Sequence, residues 1–177
     1  MEYLKIIGVL LVILAGAGFG TYPVHRMKER AMEFETLYFC LLRLKSEIGH
    51  GGKPLPEAMK TAADSKRDGK QGSSCRVLQT FANRLEQERE AYEMQLRRCA
   101  EEGFRDSVLT KEEQDGFVET FLLLGGGDKE KQMQMLSYYA ETICQTIGQE
   151  KQRRKETSYL YRSLGILGGI FLSVLLC

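Results

Sequence analysis

Histidine, strand-like alternation and unbalanced charge are all scarce in this 177-residue chain, and each scarcity removes a class of function. Only two histidines occur, His25 and His50. The five cysteines (Cys40, Cys75, Cys99, Cys144 and Cys177) include no Cys-x-x-Cys pair and no neighbouring histidine, so the spacing of a zinc site is missing. An odd, scattered cysteine set suits a reducing compartment better than a disulfide framework. Lysine and arginine number 25 against 24 aspartates and glutamates, whereas a nucleic-acid binder needs a basic excess on one face. The triple glycine at 125–127 lacks the Gly-Lys-Ser/Thr that completes a phosphate loop, and no strand precedes it. His50 sits near Ser46 and Glu47, a proximity common by chance. No catalytic residue, cofactor or metal is expected, which leaves binding, scaffolding or mechanical coupling.

What is present is a pair of uncharged terminal runs, Ile6 to Tyr22 and Ser163 to Cys177. A helix needs about 20 mostly apolar residues to cross a bilayer. Extending each run by its flanking Tyr, Leu and snorkelling Lys or Arg gives spans over 3–22 and 159–177. Gly16 and Gly20, like Gly165 and Gly169, form Gly-x-x-x-Gly faces on which membrane helices approach closely. The basic residues lie on the inner side of both runs: His25, Arg26, Lys28 and Arg30 after the first, and Lys151, Arg153, Arg154, Lys155 and Arg162 before the second. The positive-inside rule puts residues 24–158 in the cytoplasm and both termini outside, with anionic membrane lipid facing the basic edges. The rival reading takes Ala15-Gly16-Ala17 as a signal-peptide cleavage site and makes the chain an extracytoplasmic helical binding protein held by its C-terminal tail.

Between the runs the periodicity is helical. Phe34, Leu37, Tyr38, Leu41, Leu42 and Ile48 form one stripe that continues from the first span and stops at Gly49–Gly52. Pro54 and Pro56 open a short helix through Ala62. Asp64 to Ser74 reads as a loop. Leu78, Phe81, Ala82, Leu85, Tyr92, Leu96 and Cys99 suggest one long helix over Cys75–Ala100, whose carboxylates and arginines form a solvated face. Thr110 with Glu113 fits a capping box, starting a helix to Leu124 with Phe117, Val118, Phe121 and Leu122 inward. Asp128 caps a last helix with Leu136, Tyr139, Ala140, Ile143, Cys144 and Ile147 on its apolar face and a soft point at Gly148. Cys40, Cys99 and Cys144 fit as buried small hydrophobes. The expected fold is all-α: an antiparallel bundle of five to six helices, without inward polar groups, flanked by N- and C-terminal transmembrane helices.

Three stretches then carry a resemblance: Leu44-Lys45-Ser46-Glu47-Ile48 through Gly51 to Pro54-Leu55-Pro56-Glu57-Ala58; Phe121-Leu122-Leu123-Leu124-Gly125 with Asp128 and Gln132; and Lys155 through Tyr161-Arg162-Ser163-Leu164-Gly165 to Gly168-Gly169. Together with the N-terminal run, they resemble the stage III sporulation protein AB family of endospore-forming bacteria. Gly51-Gly52-Lys53 and the triple glycine depart from its pattern. The family is similar to the cytoplasmic domain of type II secretion and type IV pilus platform proteins. The resemblance implies a scaffold in the mother-cell membrane around the forespore, coupling a cytoplasmic ATPase to a channel complex, with a possible homo-oligomer and no nucleotide bound by this chain. The partner surface is then expected at Glu47, His50, Pro54, Leu55, Pro56 and Glu57 in one turn, and Gly125, Asp128 and Gln132 in another, both distal from the bilayer.

Overall fold

The computed structural model describes residues 2–50, 52–64, 69, 71–87, 91–126 and 128–176, with side chains at 1–25, 86–87, 161–162 and 164–177 outside the description. Among the described residues six α-helices and no strand occur. They are α1 (Glu2–Gly49), α2 (Leu55–Ala63), α3 (Ser73–Gln87), α4 (Tyr92–Gly103), α5 (Lys111–Gly125) and α6 (Lys129–Leu176). The chain divides into two compact units, Arg30–Gly148 and Met1–Glu29 with Gln149–Cys177. The two terminal helices are 48 residues each and contribute to both units.

In the unit Arg30–Gly148, the core follows the 3.6-residue period. Phe34, Leu37, Leu41, Leu44 and Ile48 bury one stripe of α1. They meet Ala58, Met59 and Ala62 of α2, Leu78 and Phe81 of α3, Leu96 of α4, Phe117, Phe121 and Leu124 of α5, and Leu136 and Ile143 of α6 in one cluster. Phe117 stacks edge-on to Phe104 at 5.3 Å and lies tilted on Phe121 at 4.6 Å. Full burial of each such ring contributes about 1.5–3 kcal/mol over leaving it exposed. Thr110 and Glu113 make both bonds of the capping box: Glu113 N donates to Thr110 Oγ1 at 3.3 Å, and Thr110 N donates to Glu113 Oε2 at 2.7 Å.

Several expectations are corrected. The single helix over Cys75–Ala100 is a hairpin of α3 and α4. The sequence Glu86-Gln87-Glu88-Arg89-Glu90 offers no apolar side chain to bury, whereas folding back brings Phe81 edge-on to Tyr92 at 4.9 Å and Arg84 to Glu102 at 2.8 Å. It also seats Gly103 so close to Val77 that a Cβ there would overlap the valine methyl. The loop after α2 ends earlier than expected, because Ser73 and Ser74 already belong to α3. Leu42 turns outward, 40% exposed, and its place in the stripe is taken by Cys40 and Leu44. Cys40 and Cys99 are buried as expected, but Cys144 is exposed; Cys75, for which the periodicity gave no expectation, is buried too. Cys144 falls at the edge of the α6 stripe, while Cys75 sits at the start of α3 facing Thr36 of α1, with Sγ 4.0 Å from the Thr36 carbonyl. Helix α6 runs through Gly148 without a break. Polar groups do point inward: Thr36, Ser73, Ser74 and Gln95 are buried.

In the unit Met1–Glu29 with Gln149–Cys177, the backbone is helical from Glu2 and up to Leu176. The uncharged runs, with Gly16, Gly20, Gly165 and Gly169, lie outside the described side chains apart from Ser163. Among the described residues no helix is long and apolar enough to cross a membrane.

Candidate functional site

Three helix–helix turns share one end of the unit Arg30–Gly148. At the end of α1, Gly49 approaches the start of α6 so closely that a Cβ would lie 2.9 Å from Met133 Cε. At the end of α5, a Cβ on Gly125 would come within 2.5 Å of the Tyr92 ring at the start of α4. The Tyr92 hydroxyl donates to the Phe121 carbonyl at 2.8 Å. Gln132 Nε2 donates to the Leu124 carbonyl at 2.8 Å, tying α6 to α5. The turns around Gly49–Glu57 and Gly125–Gln132, 68 or more residues apart in sequence, are thus brought to one surface.

Local chemistry sets each residue there. His50 is exposed in the turn that ends α1, its N–H donating to the Ser46 carbonyl at 2.9 Å. Gly52 adopts φ +58°, the left-handed conformation that glycine takes without strain, and reverses the chain. Lys53 Nζ then returns to Glu47 Oε2 at 2.9 Å. The hydrogen bond that Lys53 donates to Glu47 raises the Lys53 pKa above its ordinary value. Pro54 occupies the N-cap position of α2 in extended conformation and provides no side-chain cap. Leu55 and Pro56 form the first helical turn, where a missing N–H costs nothing. Leu55 is half-buried against the core, and Glu57 is exposed in the first turn. Asp128 caps α6 as expected: Lys131 N donates to its Oδ1 at 2.9 Å. Pro54, Glu57, Gly125 and Asp128 therefore present solvent-facing groups, while Leu55 and Gln132 anchor the surface from below.

A second polar cluster, which the sequence reading missed, lies where α1 meets α3 and the α4–α5 connection. Glu33 of α1 accepts hydrogen bonds from Ser73 N (2.9 Å) and Ser74 N (2.9 Å), and from the Ser73 and Ser74 hydroxyls at 2.8 and 3.0 Å. A carboxylate here satisfies the free N–H groups at the start of α3 and complements its dipole. Ser73 Oγ also contacts Ser107 Oγ at 2.8 Å. Arg30 donates to the Val108 carbonyl at 2.7 Å and pairs with Glu113 at 2.8 Å. Glu113 thus serves both its own capping box and α1. Ser-Ser opening a helix is a readable signal, but its partner 40 residues away has no local signature. Beneath this cluster, the Cys40 thiol, burial and Glu33 together push the Cys75 thiol pKa well up.

These contacts hold helices in register. Among the described residues no three His, Cys, Asp or Glu side chains are grouped as metal ligands. The fold and its turn surface define a class: an all-α bundle protein continuous with two long terminal helices. Within that class the assignment is specific. The chain belongs to the stage III sporulation protein AB family, whose model matches residues 5–177. It is accordingly a stage III sporulation protein of helical-bundle fold. No curated protein and no solved structure matches it closely enough to add a relative.

Proposed function

We propose that this protein is a non-enzymatic membrane platform of the sporulation machinery that joins mother cell and forespore. In this reading residues 3–22 and 159–177 cross the mother-cell membrane, the bundle lies in the cytoplasm, and both termini lie outside. The observation that carries it is the continuity of α1 and α6, each a single helix running from an uncharged terminal stretch into the packed unit. Family membership supports the setting, and the basic residues on the inner side of both runs support the orientation. The surface formed by the Gly49–Glu57 and Gly125–Gln132 turns is the docking face for a secretion-type ATPase or another channel subunit. Helices α1 and α6 each contribute to both units without a break in the helix.

Co-purification with the sporulation ATPase from sporulating cells tests the partner. Charge reversal at Glu57 and Asp128 should abolish it while leaving helicity unchanged, and persistence of the complex would remove those turns as the docking face. Topology is read at Cys144, because Cys75 is buried and would stay unlabelled on either side. In a Cys177→Ser background, an impermeant maleimide should label Cys144 only after the cells are permeabilised. Labelling in intact cells would replace the platform with an extracytoplasmic binding protein.

A further inference from the structure

We propose that the exposed cations of the unit Met1–Glu29 with Gln149–Cys177 form a binding surface for anionic phospholipid headgroups. The inference rests on the reading that the uncharged runs enter a bilayer, and it turns the lipid expected at the basic edges into a selective site of named, exposed side chains. Among the described side chains of this unit, the exposed charged residues are Arg26, Lys28, Lys151, Arg153, Lys155 and Glu156. Five cations thus face solvent against one carboxylate, although the whole chain is almost neutral. The other two described carboxylates are withdrawn, Glu29 half-buried and Glu150 only 8% exposed. Glu156 itself accepts a hydrogen bond from Gln152 Nε2 at 2.8 Å.

The order of side chains along each helix selects a bilayer over other polyanions. On α6 the cations at 151–155 are followed by Tyr159 and Leu160, 74% and 59% exposed, and then by the uncharged run from Ser163. At 1.5 Å per residue, Lys151 precedes Tyr159 by about 12 Å, and Ser163 follows by roughly 6 Å more. Charge, then an amphipathic ring, then apolar side chains is the polarity profile of a leaflet from headgroup to hydrocarbon. On α1 the order is mirrored. The uncharged run ends at Tyr22, and Arg26 and Lys28 follow at about 6 and 9 Å. A nucleic acid would neutralise the cations but would leave Tyr159 and Leu160 without a counterpart. Lipid supplies both.

The test uses the full chain in a neutral detergent, titrated with phosphatidylglycerol or phosphatidylcholine, with retained lipid counted by native mass spectrometry. Phosphatidylglycerol should be retained preferentially, and the preference should fade as salt is raised. Each cation near an anionic surface is worth about fivefold in affinity. Replacing Arg26, Lys28, Lys151, Arg153 and Lys155 by Gln should therefore lower phosphatidylglycerol affinity by a factor on the order of a thousand, with circular dichroism unchanged. Should that variant misfold, the Lys151→Gln, Lys155→Gln pair provides the same comparison. Equal retention of the two lipids, or an unaltered preference in the Gln variants, overturns the proposal. So does displacement of phosphatidylglycerol by a duplex oligonucleotide. Extraction of the protein from membranes by alkaline carbonate would sink the spanning reading instead, and loss of ATPase co-purification alone would sink only the platform role.

Discussion

Tyr92 shows how much one side chain can hold. Its ring fills the space that Gly125 leaves, faces Phe81, and its hydroxyl bonds the Phe121 carbonyl. Tyr92→Phe keeps the packing and removes the bond, so urea unfolding should report a loss of about 1 kcal/mol. Burial raises the pKa of both Tyr92 and Tyr139 above the ordinary tyrosine value, and the Glu113 charge adds to the effect on Tyr139. The unfolded chain therefore loses these protons first as pH rises. Their contribution is complete below about pH 10 and declines above it toward the folded values. Unfolding followed across that alkaline window, with tyrosinate absorbance as the second signal, should show ionisation of these phenols coupled to loss of helicity. At Gly103 the constraint is steric. Val77 is β-branched and cannot swing away, so Gly103→Ala should cost about 1–3 kcal/mol. Val77→Ala combined with it should recover part of the loss in a double-mutant cycle.

At the scale of the element, α3 depends on a residue outside itself. Glu33→Ala removes the acceptor for two backbone N–H groups and two hydroxyls at its start. The expected cost is about 2 kcal/mol, with hydrogen exchange rising first in residues 73–77. The helices that could be read from sequence were those whose stop and start signals are local: Thr110 with Glu113, Asp128, and the Gly49–Pro56 turn. The α3–α4 hairpin could not be read that way. Leu85 and Tyr92 lie seven residues apart, an interval that also fits two turns of one continuous helix, and the deciding contacts, Phe81 on Tyr92 and Val77 on Gly103, exist only after the chain has folded back. For the candidate surface, the residues of each turn and their common distal end were legible, but the contact by which the turns meet was not. That meeting depends on Gly49 touching Met133, more than 80 residues away.

For the whole molecule, Gly148 is the informative position. It is the last residue of the packed unit, lies within α6 and has open space where a Cβ would be. Gly148→Ala should stabilise the protein by about 0.5–1 kcal/mol and leave sporulation intact. Gly148→Pro removes the bond to the Cys144 carbonyl and kinks α6, a cost of about 3 kcal/mol. If a stiff α6 transmits force, the proline variant should accumulate with a folded bundle yet fail in spore counts. Normal spore yield from it would dismiss the mechanical role. The polar contacts of α1 carry a different consequence, one of timing during synthesis. Arg30 and Glu33 emerge from the ribosome early, whereas Ser73, Val108 and Glu113 follow 40 to 83 residues later. Ribosome-bound chains halted before Val108 should therefore remain open to protease between α1 and α3, and those released past Glu113 should become resistant, so the first helix made is among the last to be locked in place.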